Sequence, residues 1–207
     1  MRILFQGDSI TDARRPRDLD WLLGGGYPTI CAGMLVKERP NDVEVINRGV
    51  SGNRVVDLYA RWKMDAINLK PDVISILIGV NDVWHEVGNQ NGVDVERFEM
   101  VYNLLLDYTK RDLPETKMIL LEPFVLKESA TEEHWDYFSK EVALRAQATK
   151  RVAEKHGATF VPLQDMFDEA AKTAPASVFL RDGVHPTAAG HSMIADRWIE
   201  AFMKTMQ

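Results

Sequence analysis

The sequence predicts an α/β fold in which a parallel five-stranded sheet lies between two layers of helices. Five short apolar runs rich in strand-forming residues recur at intervals of a few tens of residues, and amphipathic helical patterns separate them. Strands that alternate with helices imply βαβ crossovers, which produce a parallel sheet covered on both faces. We therefore predict a three-layer α/β/α sandwich with a flavodoxin-like strand order.

Each predicted strand is a short apolar run, and the run at residues 72–78 is apolar almost throughout, which is typical of a strand buried on both faces. The five strands are expected at residues 2–6, 43–47, 72–78, 117–121 and 159–162. The helices, each with apolar residues at helical spacing, are expected at roughly 28–39, 53–68, 94–111, 131–156 and 187–204.

Two segments are predicted to be long loops. Residues 12–26 contain Pro16 and three consecutive glycines, and residues 85–94 contain two further glycines. Both follow strand ends, so we expect them to shape access to a ligand rather than to act as simple connections.

Composition and charge are those of one ordinary globular domain, and we predict a single domain over residues 1–207. The net charge of −6, with Lys and Arg spread along the chain, argues against nucleic acid or an anionic membrane as a partner. The only cysteine, Cys31, lies in an apolar helical pattern and is predicted to be a core thiol. Because no signal peptide and no membrane-spanning run is visible, we expect a cytoplasmic protein.

The polar residues that could carry chemistry follow the predicted strands. Strand one runs into Gly7-Asp8-Ser9, strand two leads to Gly52, and strand three ends in Gly79-Val80-Asn81-Asp82. The carboxyl ends of parallel strands meet at one edge of a sheet, so these three loops should converge. A fourth segment, Asp182-Gly183-Val184-His185-Pro186, precedes the last helix, and Pro186 is expected in its first turn.

These segments supply the parts of a serine hydrolase. Ser9 is the candidate nucleophile, and His185 is the candidate base that takes its proton. Asp182 lies three residues before His185 and can hold the imidazole in one tautomer. The Ser9 and Gly52 backbone amides and the Asn81 side-chain amide are candidate donors for an oxyanion hole.

Each part also has a purely structural interpretation. Ser9 could cap a helix, Gly52 could be a turn glycine, and Asn81 could cap a helix or form a turn. The conjunction of four segments, in order, at three strand ends and the last helix favours the catalytic interpretation.

The same four segments resemble the signature blocks of the SGNH hydrolases, also called the GDSL esterase/lipase family. The similarity spans residues 7–186 and implies the SGNH hydrolase fold, Ser9, His185 and Asp182 as a triad, and Ser9, Gly52 and Asn81 as the oxyanion hole. The sequence lacks the Gly-x-Ser-x-Gly elbow of the α/β-hydrolases. Similarity around residues 47–53, 60–62, 78–84, 122–124 and 184–191 looks like that of bacterial intracellular acetylxylan esterases of this family.

The resemblance implies a small-molecule or oligosaccharide ester, such as an acetylated xylo-oligosaccharide, as the substrate. Alternatives are a thioesterase or lysophospholipase of the same family and a catalytically silent carbohydrate-binding module. Asp8, Trp21, Arg54 and Trp84 are candidate residues of the substrate pocket, although Arg54 could instead pair with a nearby aspartate. No metal or cofactor motif is present, so neither is expected, and a homo-oligomer stays open.

Overall fold

The computed structural model describes residues 1–207 and contains one five-stranded, wholly parallel sheet. The strand order is β2-β1-β3-β4-β5. The chain therefore runs from β1 outward to the edge strand β2, returns past β1 to β3, and then adds β4 and β5 towards the other edge. This is the predicted flavodoxin-like order. The strands are β1 (Arg2–Gly7), β2 (Glu44–Asn47), β3 (Val73–Leu77), β4 (Lys117–Leu121) and β5 (Thr159–Val161).

Eight α-helices connect and cover the strands. They are α1 (Ser9–Asp12), α2 (Tyr27–Glu38), α3 (Val55–Asp65), α4 (Val80–Asn89), α5 (Val95–Asp112), α6 (Trp135–His156), α7 (Gln164–Ala171) and α8 (Ala188–Thr205). Two single 3-10 turns, Ile67–Leu69 and Ala176–Val178, complete the regular structure.

Alternate residues of the strands enter two separate apolar cores, because successive side chains point to opposite faces of a sheet. Phe5 of β1 packs with α2 and α8 in one core, whereas its neighbour Leu4 packs with α3 and α5 in the other. Trp198 and Trp62 are the largest side chains buried in the first and second core, respectively. The two cores on opposite faces confirm the predicted three-layer α/β/α sandwich.

Two predictions about the elements are wrong in detail. The segment 85–94 is not one long loop, because α4 continues to Asn89 and leaves only residues 90–94 outside regular structure. Its apolar side chains Val80 and Val83 are fully buried, and this burial stabilises a helix that contains Gly88. The short helices α1 and α7 are absent from the predicted helices, whereas the loop after Asp12 is present as expected.

The sheet brings the carboxyl ends of β1, β2 and β3 to one edge, since β1 is hydrogen-bonded to both neighbours in parallel register. Cys31 lies on α2 and is fully buried in the core, as predicted. None of the helices combines the length and the apolar character that crossing a bilayer would require.

Candidate active site

Ser9 lies at the first position of α1, directly after β1 ends at Gly7. Gly7 has a φ of +155°, and a β-carbon there would collide with the Leu77 carbonyl and the Thr11 side chain. Only glycine allows the chain to turn this sharply from strand to helix. Asp8 caps the new helix, since its Oδ1 accepts a hydrogen bond from the Ile10 amide at 2.9 Å. Ser9 itself is therefore not the helix cap and is left half-buried at the sheet edge.

The structure brings Ser9, His185 and Asp182 together in a continuous hydrogen-bonded chain. The Ser9 Oγ lies 2.9 Å from the Nε2 of His185, although the two residues are 176 positions apart in sequence. The Nδ1 of the same ring lies 2.8 Å from the Asp182 Oδ2. This arrangement has the geometry of a nucleophile, a base and the carboxylate that orients the base.

The turn that carries Asp182 and His185 is fixed by its own backbone. The Asp182 Oδ1 accepts hydrogen bonds from the amides of Val184 and His185 at 3.1 and 2.8 Å. Burial alone would raise the pKa of Asp182, but these bonds and the His185 ring outweigh it and hold that pKa well below its ordinary value. Asp182 is therefore an anion at neutral pH, as a partner of an imidazolium must be.

Pro186 does not lie in the first turn of the last helix, contrary to the prediction. Helix α8 begins at Ala188, and Thr187 caps it with its side-chain oxygen. Pro186 instead forms an isolated antiparallel bridge with Leu180, and the Arg181 amide donates to the His185 carbonyl at 2.9 Å. His185 is held by this closed turn rather than by the helix.

Each of the three predicted oxyanion donors keeps an N–H that no acceptor in the protein occupies. The Ser9 amide is at the first position of a helix, where no intrahelical acceptor exists. Gly52 has a φ of +82°, and its amide has no partner among the protein's hydrogen bonds. The Asn81 Nδ2 donates to the Asn53 carbonyl at 3.2 Å, which fixes the amide and leaves its second proton available.

Asp12 connects the serine helix to the loop that contains Gly52, and sequence reasoning missed this role. Its Oδ2 accepts from both the amide and the hydroxyl of Ser51, at 2.9 and 2.8 Å, while Arg17 forms an ion pair with it. Burial would raise the pKa of Asp12, but hydrogen bonds from Arg17 and Ser51 keep it below its ordinary value. The sequence offers no local signal for a contact between residues 39 positions apart.

An open cavity of about 490 Å³ adjoins Ser9 and His185. Polar and small residues form most of its wall, with Ile10 and Ala13 on the apolar side and Arg14 and Arg181 among the polar residues. A larger, mainly apolar cavity of about 730 Å³ lies elsewhere, between α2 and α8, and contains neither Ser9 nor His185.

The candidate pocket residues lie outside the wall of the cavity next to Ser9. Asp8 is buried beneath the serine, and burial raises its pKa to about 7. Arg54 forms an ion pair with Asp57 and donates to the Asn91 carbonyl at 2.7 Å, so it has the structural role that was its alternative. Trp21 is 74% exposed and lines a separate shallow depression.

Trp84 lies closer to the candidate triad, because the centre of its ring is 5.7 Å from that of His185, with 49° between the ring planes. It also packs edge-on against Phe138, which holds the Trp84 ring beside His185. His191 is buried and accepts a hydrogen bond from the Tyr27 amide at 3.2 Å. Burial and the neighbouring His185 lower its pKa to about 4, so the His191 ring is neutral at neutral pH.

Comparison with known proteins decides the family. The model of the GDSL-like lipase/acylhydrolase family matches residues 5–193, nearly the whole chain. The chain belongs to this family. The GDSL-family chain is also 35% identical to an acetylxylan esterase of Geobacillus stearothermophilus over 94% of its own length and 90% of the relative's. It is 25% identical to an isoamyl acetate-hydrolyzing esterase 1 homolog of Homo sapiens, over 93% and 77% of the two lengths. The protein is therefore a carboxylic ester hydrolase.

Solved structures of the family share its architecture. A GDSL-like lipase from Parabacteroides merdae superposes with a TM-score of 0.92 at 39% identity, over 97% of this chain and 94% of the other. The Geobacillus acetylxylan esterase superposes with a TM-score of 0.86 at 33% identity, over 97% and 93%. Variants of that enzyme described as catalytic mutants replace a serine, an aspartate and a histidine, the last two being three residues apart. A further variant replaces the tryptophan directly before the aspartate.

Proposed function

We propose that this esterase removes acetyl groups from carbohydrates, such as acetylated xylo-oligosaccharides, through a covalent acetyl-enzyme on Ser9. The observation that carries the proposal is the hydrogen-bonded chain from Ser9 through His185 to Asp182, beside a cavity that opens to solvent. The equal spacing of aspartate and histidine in the catalytic variants of the Geobacillus enzyme supports the same assignment.

The first half of the reaction acylates the serine. His185 Nε2 takes the proton of the Ser9 hydroxyl as the oxygen attacks the ester carbonyl. The carbonyl oxygen becomes an anion, which the amides of Ser9 and Gly52 and the side chain of Asn81 stabilise. When the tetrahedral intermediate collapses, the bond to the alcohol oxygen breaks and His185 returns its proton to that oxygen. The alcohol leaves, and the acetyl group stays on Ser9.

The second half releases acetate. His185 takes a proton from a water molecule, whose oxygen attacks the acetyl carbonyl, and the same three donors hold the second oxyanion. Collapse then breaks the bond to the Ser9 oxygen, which recovers a proton from His185. Asp182 stabilises the imidazolium in both halves, because its carboxylate accepts from Nδ1 and leaves Nε2 aimed at the serine.

The shape of the site supports a short acyl group. The cavity beside Ser9 is lined mostly by polar and small residues, which suit a sugar, and only three of its lining residues are hydrophobic. The large apolar cavity between α2 and α8 does not include the serine or the histidine, so it cannot serve as an acyl channel for this site. This separation counts against the thioesterase or lysophospholipase alternative.

Acetate release from acetylated xylo-oligosaccharides tests the proposal, with the Ser9→Ala variant as its control. The wild-type protein should release acetate and should cleave an acetyl nitrophenyl ester much faster than the octanoyl ester. Ser9→Ala should lose activity by several orders of magnitude while circular dichroism and thermal unfolding stay unchanged. Cleavage of the aryl ester without acetate release from any sugar would refute the carbohydrate part, and full activity of Ser9→Ala would refute the mechanism.

The residue directly before Asp182 is a point of difference within the family. This chain has Arg181 there, whereas the Geobacillus acetylxylan esterase has the tryptophan that one of its variants replaces. We therefore propose that the two enzymes share the acetyl chemistry and differ in the sugar that they accept.

A further inference from the structure

The cavity beside Ser9 is cationic in a protein that is acidic as a whole. Its wall includes Arg14 and Arg181 and no aspartate or glutamate, although the chain carries 31 acidic and only 25 basic residues. A site whose charge opposes that of the whole protein is selective for ligands of the opposite sign, because the local field acts over the few ångströms that matter for binding.

Arg14 has no partner of its own. Its guanidinium forms no hydrogen bond or ion pair within the protein, unlike the neighbouring Arg17, which pairs with Asp12. A residue of the cavity wall thus has five free N–H donors in a planar fork, and such a fork matches the two oxygens of a carboxylate.

The backbone of Arg14 is held in an unfavourable conformation. Both Ala13 and Arg14 have positive φ values, 41° and 60°, which residues with a β-carbon rarely adopt. Hydrogen bonds on either side hold the turn, from the Gly25 amide to the Ala13 carbonyl and from the Arg15 amide to the Asp12 carbonyl. Strain that the surrounding structure maintains is typical of ligand-binding segments.

Arg181 approaches the cavity from the opposite segment, next to the catalytic turn. Its side chain is 64% exposed, and its Nη2 lies 3.5 Å from the Asp182 Oδ2, which also accepts from His185. Only the Nη2 of Arg181 forms this ion pair, so Arg181 keeps most of its donors for a ligand. The two arginines therefore face one cavity from the loop after α1 and from the turn before α8.

We propose that Arg14 and Arg181 bind a carboxylate on the sugar that carries the acetyl ester, so that the preferred substrate is an acetylated oligosaccharide with a uronic acid unit. This inference rests on the proposed carbohydrate esterase function and specifies its substrate class. The arginines do not touch the reacting atoms in this scheme, and they select the alcohol part of the ester.

The test compares two acetylated xylo-oligosaccharides, one with a uronic acid side group and one with that carboxyl reduced to an alcohol. The readout is the ratio of kcat/KM for the two substrates at low ionic strength. Because one charge-assisted hydrogen bond contributes about 1.5 kcal/mol or more, the wild-type ratio should be about tenfold in favour of the acid and should fall with added salt.

Arginine variants assign the effect to these residues. Arg14→Gln and Arg181→Gln should each lower the ratio about threefold, the double variant should bring it close to one, and Arg14→Lys should retain part of it. Arg197→Gln, a matched loss of charge on α8 outside the cavity wall, should leave the ratio unchanged. A wild-type ratio near one, or a double variant that keeps the wild-type preference, would overturn the inference.

Failure of the carbohydrate function would be recognised separately. If neither oligosaccharide loses acetate while para-nitrophenyl acetate is cleaved, the sugar assignment fails, and the charge preference is then measured with para-acetoxybenzoate against para-acetoxybenzamide. A preference for the benzoate that the double variant abolishes would support carboxylate binding by the arginines. Equal rates for the two aryl esters would contradict it.

Discussion

Burial of Asp8 makes the stability of this fold depend on pH. Its side chain is 1% exposed, its Oδ1 accepts from the Ile10 amide, and its Oδ2 is buried without a partner. Burial disfavours the charged form and raises the pKa from the ordinary 3.8 to about 7, while the Ile10 hydrogen bond offsets part of that shift. The folded protein therefore holds this proton more tightly than the unfolded chain does.

The sign and size of the effect follow from linkage. Between about pH 4 and about pH 7 the unfolded chain loses the proton that the folded protein keeps, so the stability that Asp8 contributes is present at low pH and is lost as the pH rises through 7. At 1.36 kcal/mol for each pH interval of one, the full loss is at most about 4 kcal/mol, of which about 3 kcal/mol falls between about pH 5 and about pH 8.

The Asp8→Asn variant tests whether Asp8 causes this pH dependence. The side chain of the variant keeps an oxygen that accepts from the Ile10 amide, and it carries no charge. The free energy of unfolding of the wild-type protein should fall between about pH 5 and about pH 8 by up to about 3 kcal/mol more than that of the variant. Asp82 remains as a second buried carboxyl with a pKa raised by burial to about 7, so some pH dependence should persist. Denaturant unfolding followed by circular dichroism at both pH values measures the difference. Asp18→Asn, on the exposed loop after α1, is the matched control.

A stability difference between Asp8→Asn and the wild-type protein that is the same at both pH values would refute the assignment. The same result for the control and for the Asp8 variant would also refute it, since loss of an exposed carboxylate would then explain the change.

Three further predictions concern catalysis, each measured on para-nitrophenyl acetate with thermal unfolding as the check on folding. Asn81→Ala should lower kcat about a hundred- to a thousandfold with little change in KM, because one oxyanion donor is lost. A variant that keeps the wild-type kcat and only has a raised KM would contradict that role. Asp182→Asn should lower kcat by about four orders of magnitude, since the amide favours the wrong tautomer of His185; a loss below tenfold would be incompatible with the triad. Asp12→Asn should lower kcat about ten- to a hundredfold, because it weakens the hydrogen bonds from Ser51 that hold the Gly52 loop. An unchanged kcat would show that the position of this loop does not depend on Asp12.

The sequence predicted the architecture because the signal for each strand is local. The apolar runs that became β1 to β5 are short, separated by helical patterns and bounded by polar residues, so their order and parallel arrangement followed from the handedness of crossovers. Helix α4 was missed because Gly88 and the polar residues after Asn81 favour a loop by propensity. Burial of Val80 and Val83 against the sheet overrides that preference.

The pairing of Asp182 and His185 could be predicted because the two residues share one turn. Their contact with Ser9 was expected because Ser9 follows the carboxyl end of a strand, where parallel sheets place functional groups. The role of Pro186 was predicted wrongly, because Thr187 caps α8 directly before Ala188 and leaves Pro186 two residues ahead of the helix, although proline often occupies a first helical turn. The hydrogen bonds between Asp12 and Ser51 join helix α1 to the loop that contains Gly52, and no spacing in the sequence indicates them. The left-handed backbone at Arg14 is equally invisible in sequence, since arginine has no tendency to adopt it.

Covalent labelling tests whether Ser9 is the residue that becomes acylated. A fluorophosphonate should modify the native protein once, on the peptide that contains Ser9, and excess substrate should slow the labelling. The His185→Ala variant should label far more slowly because the hydroxyl keeps its proton. Mass spectrometry that finds the label on Ser9, and none on Ser9→Ala, is the predicted result. A label on another residue, or unchanged labelling of Ser9→Ala, would contradict acylation of Ser9.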